Sequence, residues 1–232
     1  MRVIDGKQAV TAEKETGRLE AFSDGVFAVA ITLLVVNLSV PHAPAGTTFT
    51  AATLANELLR QWPSYVAFVT SFATVLIMWI NHHSLFKMIH KSDTRFMFAN
   101  GFLLLLVTLV PFPTALVAEY LTNPQAAKTA TAVYAGLFVL ISLGYLALWV
   151  AASNKRRLIK PTVSDEAVRA ITRRTFIGFP TYMLAVIVAF IQPIISIAIC
   201  IVLWVFWSTT SLLDQSALQT QEARDEVTTR NL

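Results

Sequence analysis

The chain has 232 residues, of which 55% are hydrophobic and only 14% are charged. This composition is too apolar for an ordinary soluble domain and indicates an integral membrane protein. The net charge of +4 comes from Lys and Arg residues beside the predicted spans, so it gives no argument for nucleic-acid binding. The single cysteine excludes an intrachain disulfide.

Stretches without Asp, Glu, Lys or Arg mark the segments that can cross a hydrocarbon core of about 30 Å. A fifth such stretch, 175–213, is about twice as long as one helix needs, and Gln192-Pro193 lies at its centre. Because proline lacks the N–H that would continue a helix, we predict a turn there and six helices in total. The first four predicted helices are 25–41, 61–86, 96–118 and 129–154.

The basic residues predict the orientation of these helices. All Lys and Arg residues except Arg60 and Lys128 fall on one side of the predicted bundle. Basic residues near membrane spans are retained on the cytoplasmic side, so we expect both termini to be cytoplasmic and the chain to be a multi-pass protein of the cell membrane. We expect no cleaved signal peptide, since the first residues are mostly polar. The predicted divisions are a cytoplasmic segment 1–16, a six-helix transmembrane domain 17–213 and a cytoplasmic tail 214–232.

The first helix carries an apolar stripe with alternating spacings of three and four residues, which places its members on one face. At about 100° per residue, Asp24 points on the order of 160° away from the centre of the stripe, while Thr32 and Asn37 flank it. The simplest interpretation is that the stripe packs on a neighbouring helix and that Asp24 lies near the hydrated boundary of the membrane. The stripe consists of Val26, Val29, Leu33, Val36 and Val40.

The second predicted helix provides partners for Ser23 and Asp24. Helix 1 enters from the cytoplasm and helix 2 returns to it, so their cytoplasmic halves lie at similar depth. Indole and imidazole N–H groups are donors that a carboxylate accepts, and burying either side unpaired is costly. We therefore predict a hydrogen-bonded network between the two helices. The candidates in helix 2 are Trp79, Asn81, His82 and His83.

The same residues give little support for metal binding or catalysis. Adjacent histidines, His82 and His83, point about 100° apart on a helix, unlike the i, i+4 pairs that converge on a metal. Ser23 and Asp24 lack the geometry of a nucleophile with its base, and no GxSxG, HExxH or Gly-rich phosphate loop is present. We predict no bound metal, no cofactor and no enzymatic activity.

Two motifs resemble one family. The RxxxFSD pattern at the start of helix 1 and the WxxHHxxF pattern at the end of helix 2 are similar to the signatures of the transmembrane protein 175 family of potassium channels. Six spans with cytoplasmic termini also fit that family. The first motif comprises Arg18, Phe22, Ser23 and Asp24, and the second comprises Trp79, His82, His83 and Phe86.

The resemblance implies an all-α homotetramer in membrane lipid, in which four copies of helix 1 line a central pore for K⁺. It implies that the signature residues and Asn81 form the network that holds helix 1 in place, namely Arg18, Phe22, Ser23, Asp24, Trp79, Asn81, His82 and His83. It also implies a narrow hydrophobic constriction with a threonine beside it, at Val29, Thr32, Leu33 and Val36. Val29 and Val36 stand where Ile or Leu is common in the family, which widens the predicted ring. The sequence has no TVGYG filter loop.

Two other classes of protein remain as alternatives. Ionisable residues in membrane spans are often functional, so Asp24 and the two helix-2 histidines, His82 and His83, could instead form the relay of a proton-coupled secondary transporter. Such carriers usually have inverted repeats, and the sequence shows no such repeat. A membrane enzyme or scaffold ranks last, for want of a catalytic constellation.

Overall fold

The computed structural model describes residues 2–43 and 46–209, with side chains from residue 15 onward. Within this part of the chain the fold is all-α, and the β-structure is limited to an isolated bridge between Ile89 and Ile159. Short 3₁₀ turns follow α1 and α6, at Leu34–Asn37 and Asn154–Arg156. The helices are α1 Arg2–Leu33, α2 Ala51–Arg60, α3 Trp62–Lys87, α4 Thr94–Thr108, α5 Pro111–Tyr120, α6 Ala127–Ser153, α7 Asp165–Ile191 and α8 Pro193–Thr209.

Five stretches of the described residues are long and apolar enough to cross a membrane, so the chain is a multi-pass membrane protein. They coincide with the first five predicted spans. The helix α8 is apolar but shorter, and the remainder of the predicted sixth span, residues 210–213, lies outside the described residues, so six spans remain a prediction. The five stretches are Glu15–Asn37, Trp62–Lys87, Thr94–Tyr120, Ala127–Arg156 and Asp165–Ile191.

The packing centres on α6, which contacts α4, α5 and α7, while α1 packs on α3 and α4. The face of α1 that enters this core carries Phe27, Ala30 and Leu34, all at most 1% exposed. These residues follow spacings of three and four, so they form one buried face of the helix. The opposite face of α1 is exposed in the single chain.

The end of α1 differs from the predicted helix 25–41. Regular α-helix stops at Leu33, a 3₁₀ turn occupies Leu34–Asn37, and Leu38 is extended with φ −89° and ψ 101°. A helix continuing further would need an N–H from Pro41 to bond the carbonyl of Asn37, and proline has none. The apolar stripe is therefore continuous only to Val36, with a changed rotation after Leu33, and Val40 lies outside the helix.

Two further helix breaks coincide with prolines. The predicted helix 96–118 is divided into α4 and α5 near Leu109, because Pro111 and Pro113 lack the N–H groups that would bond carbonyls four residues earlier. The break between α7 and α8 lies at Gln192, which is extended with φ −144° and ψ 98°. The turn predicted at Gln192-Pro193 is thus present.

Two segments outside the predicted helices contain helix. Between the first two predicted helices, Thr50 and Thr53 form a reciprocal capping box that begins α2. Ahead of the fifth uncharged stretch, the Ser164 side chain accepts a hydrogen bond from the backbone of Ala167 and begins α7. Both caps are visible in the sequence as a hydroxyl residue ahead of a helix-forming run. The prediction does not include these helix starts, because it limits helices to stretches without charged residues.

Candidate functional site

Asp24 is joined to the second membrane helix by the indole of Trp79. The Nε1–H of Trp79 donates to Oδ1 of Asp24 at 2.8 Å. The same indole stacks on the imidazole of His83, with ring centroids 5.8 Å apart and an interplanar angle of 16°. The indole therefore both binds the carboxylate and is itself fixed by a neighbour on its own helix.

A second acid on α1, Glu20, contacts a histidine of α3. Nδ1 of His83 lies 2.8 Å from Oε1 of Glu20. Glu20 precedes Asp24 by four residues, so the two carboxylates share one face of α1. Glu20 is absent from the predicted network, although its i, i+4 spacing from Asp24 places it on the same face of the helix.

A third connection is fully buried and passes through α4. Nδ2 of Asn100 donates to Oγ of Ser23 at 2.9 Å, and Nε2 of His82 lies 2.8 Å from Oδ1 of Asn100. Because the amide oxygen is an acceptor, the His82 Nε2 carries the proton in this arrangement. The Ser23 hydroxyl in turn donates to the carbonyl of Leu19 at 2.8 Å. Ser23, His82 and Asn100 each have 0% exposed surface.

Asn100 was missing from the predicted network, and its signal was a single amide in an otherwise apolar run. His82 and His83 indeed serve different partners, as expected from their angular separation on the helix. His82 also stacks on Phe86, with ring centroids 4.4 Å apart. Phe86 thereby supports the imidazole that binds Asn100.

The far end of the α1 segment has a separate anchor. Nδ2 of Asn37 donates to the carbonyl oxygen of Pro111 at 3.1 Å, at the break between α4 and α5. A buried cluster of three hydroxyl groups includes Thr114, three residues after Pro111. Oγ of Ser71 lies 2.7 Å from Oγ1 of Thr114 and 3.2 Å from the hydroxyl of Tyr134. The cluster joins α3, α5 and α6, so the break that receives Asn37 is itself fixed by polar contacts.

Three of the predicted network residues lie elsewhere. Arg18 and Phe22 are exposed, and at about 100° per residue they fall within about 20° of Val29 on the helix. They share the apolar face of α1 and not the face that binds α3. Nδ2 of Asn81 donates to the carbonyl of Ile77 in its own helix at 2.9 Å.

The exposed face of α1 carries the four residues predicted to line a pore. Val29, Leu33 and Val36 are 55%, 46% and 74% exposed in the single chain. Thr32 is exposed beside them, and its Oγ1 donates to the carbonyl of Val29 at 2.9 Å. Since that bond uses the hydroxyl proton, the Thr32 oxygen presents only acceptor lone pairs to whatever faces this side of the helix.

Comparisons with known proteins point to one family. Residues 18–111 match the family described as endosomal/lysosomal potassium channel TMEM175. A protein of Chamaesiphon minutus named a potassium channel is 46% identical over 199 residues, covering 86% of this chain and 96% of the relative. A crystal structure of a lysosomal potassium-selective channel TMEM175 homolog from Chamaesiphon minutus has a TM-score of 0.76 at 45% identity, covering 85% of this chain and 98% of that chain.

A more distant relative carries a different name. A zebrafish (Danio rerio) protein named endosomal/lysosomal proton channel TMEM175 is 32% identical over 150 residues. That match covers 63% of this chain but only 29% of the relative. All of these relatives are named channels, in agreement with the expectation that the chain is not an enzyme.

Proposed function

The chain belongs to the TMEM175 family, and from this premise we propose that it is a potassium-permeable channel of the cell membrane. We propose that four copies assemble, each with six spans and cytoplasmic termini, and that four copies of α1 surround a central pore. The relatives named potassium channels support the permeant ion. The positions of the basic residues support the orientation.

One observation carries the proposal: α1 binds its own subunit through one side and leaves the other side exposed. Glu20, Ser23 and Asp24 bind α3 and α4 of the same subunit, whereas the face with Val29 and Leu33 remains exposed. A helix that lines a pore needs both properties, because it must be held firmly from behind and must leave its other face uncovered by its own subunit. The arrangement explains how a span that contains acidic residues can present valine and leucine to a pore.

On this proposal the narrowest part of the pore is hydrophobic and lies along Val29, Leu33 and Val36. Hydrophobic constrictions gate by dewetting, so their effect depends on radius, and four valines leave more room than four isoleucines. Thr32 adds a ring of four hydroxyl oxygens, which can replace part of the water around a dehydrating K⁺. Ion preference would arise here without a TVGYG loop of backbone carbonyls.

Arg18 and Phe22 gain a role from their position. Both lie on the same face as Val29 but closer to the cytoplasmic end. We infer that they line the cytoplasmic entrance of the pore, in place of the network role expected from the sequence. Four guanidinium groups near an entrance would lower the local concentration of cations, so Arg18 is expected to limit conductance.

Proton-coupled transport through Asp24, His82 and His83 is the second candidate. The zebrafish relative named a proton channel supports proton movement in the wider family. Against a relay, Asp24 bonds the indole of Trp79 and His82 bonds the amide of Asn100, neither of which exchanges protons near neutral pH. Only the Glu20–His83 contact joins two titratable groups in this network.

The test is ion flux through the purified protein in liposomes. Potassium flux that follows the membrane potential, exceeds sodium flux and falls when Val29 is enlarged to Phe supports the channel. Val150→Phe is the matched control, because Val150 is also a valine in a membrane helix and is similarly exposed, at 52%. Saturable uptake driven by a pH gradient, with no effect of Val29→Phe, would instead support the transporter.

A further inference from the structure

A second feature of the subunit lies away from α1. A cavity of about 390 Å³ opens among α3, α6, α7 and α8. Its wall is mostly apolar, with Met78, Ile141 and Tyr182 among the lining residues, and it includes two charged side chains, Glu166 and Arg174. The proposed pore uses none of these groups.

The positions of the charged groups along α7 give the cavity a polar end and an apolar end. Arg174 directly precedes the uncharged stretch that begins at Thr175, so it lies at the boundary of the hydrocarbon region. Tyr182 is eight residues deeper, or about 12 Å at 1.5 Å per residue. Glu166 is equally far on the aqueous side. A ligand with an anionic group at one level and hydrocarbon below it therefore matches this cavity.

A buried donor on α8 adds a second requirement. Trp204 lines the cavity, and its Nε1 is buried without an acceptor among the described residues. A buried indole N–H normally has a partner, and leaving it unpaired is costly. Because the surrounding wall is mostly apolar, an acceptor carried by a ligand is the simplest means of pairing it.

We propose that the cavity binds one membrane phospholipid. The phosphodiester lies at Arg174, an ester carbonyl accepts the Trp204 N–H, and one acyl chain extends towards Tyr182 between α6, α7 and α8. Guanidinium groups bind phosphate oxygens well, and basic pockets between transmembrane helices recognise lipid head groups. The carboxylate of Glu166, on the aqueous side of the phosphate, disfavours head groups with further negative charge. The assignment to the cytoplasmic leaflet follows from the proposed orientation, whereas the site itself does not depend on it.

The cavity is connected to the network behind α1 through α3. Residues of α3 that line the cavity, such as Ile77 and Asn81, lie about 160° from Trp79 around the helix. A lipid acyl chain would thus support α3 on the side opposite to the contacts that hold α1. We expect potassium flux to depend on the lipid, but the binding test does not rely on flux.

The experiment is native mass spectrometry of the full-length protein, extracted in mild detergent and supplied with phosphatidylglycerol or phosphatidylcholine. We expect one phospholipid per chain to be retained, with phosphatidylcholine preferred because its choline cation faces the carboxylate of Glu166. Arg174→Gln should weaken retention roughly tenfold, the size of one charge-assisted hydrogen bond. Arg173→Gln is the matched control, because Arg173 is an exposed neighbour that does not line the cavity.

A second variant fills the cavity without changing charge. Ala170 lines the wall, and Ala170→Phe should abolish retention while the protein still elutes as a folded oligomer. The proposal is overturned if Arg173→Gln weakens retention as much as Arg174→Gln, or if Ala170→Phe retains the lipid. It is also overturned if the wild-type chain carries no phospholipid, or if crosslinking places residues 210–232 or a neighbouring copy in the cavity.

Discussion

The two faces of α1 differ in what they contact. The face with Ser23 and Asp24 forms hydrogen bonds with α3 and α4 of the same subunit, at 2.8 and 2.9 Å. The face with Val29 and Leu33 is exposed in the single chain. Substitutions on the first face should therefore change stability, and substitutions on the second should change permeation.

The largest expected effect is on permeation. Val29→Ser replaces a ring of apolar groups by hydroxyls, which favours water in the constriction and lowers the barrier to ion entry. A reduction of about 1.4 kcal/mol in that barrier raises the potassium flux on the order of tenfold. The measurement is flux in liposomes at equal protein density, with thermal stability expected to stay near that of the wild type.

Val150→Ser is the control for this prediction, because it makes the same chemical change at a similarly exposed site on α6. It should leave the flux unchanged. Equal increases from both variants would mean that the flux reports general leakiness of the bundle, and the difference between the two faces of α1 would then have no functional meaning.

The next effect is on stability and tests the buried face. Asn100→Ala removes the amide that joins Ser23 to His82, leaving two buried polar groups without their partner. We expect a loss of about 1–3 kcal/mol in the free energy of unfolding, measured by reversible denaturation in mixed micelles.

Thr74→Val serves as the comparison for Asn100→Ala, since Thr74 is buried and its hydroxyl donates to the carbonyl of Thr70 in its own helix. It should cost clearly less. A result in which the two variants are equally unstable would show that the connection between α4 and α1 adds nothing beyond the loss of one buried hydrogen bond.

The positions of the first five spans could be predicted from the sequence because they depend on a property of composition, the absence of charge over a length set by the bilayer. The break at Gln192 was equally accessible, since proline acts locally on the backbone. The 3₁₀ turn at Leu34–Asn37 was not, because the Asn37 amide that anchors it bonds the carbonyl of Pro111, which is distant in the sequence.

The candidate site shows the same division. Depth and chemistry placed Asp24 beside the four polar candidates of helix 2 but did not select Trp79 among them. Asn100 lies on a third helix whose rotation the sequence does not specify, so its contact with Ser23 could not be predicted. Arg18 and Phe22 were assigned to the network by resemblance, although their helical angle places them beside Val29.

A smaller effect is expected from the Trp79–Asp24 hydrogen bond. Trp79→Phe and Asp24→Ala each remove one partner, and hydrogen bonds between membrane helices couple by about 0.6 kcal/mol on average and up to about 1.7. A double-mutant cycle in mixed micelles should give a coupling within this range. Trp79→Phe combined with Val29→Ser should be additive, because the two residues lie against opposite faces of α1; a coupling as large as that with Asp24 would contradict the separation of the faces.

The smallest expected effect belongs to the far end of the helix. Asn37→Ala removes a single neutral hydrogen bond to the carbonyl of Pro111, so we expect a loss of about 0.6 kcal/mol in unfolding free energy. Asn56→Ala, on the exposed helix α2, is the control and should change nothing measurable. Because the hydrogen bonds of a 3₁₀ turn have poorer geometry than those of an α-helix, even this weak anchor should set the position of Val36 in the turn Leu34–Asn37. Asn37→Ala is therefore expected to alter potassium flux more than its effect on stability suggests, and an unchanged flux would show that the anchored turn does not form part of the pore.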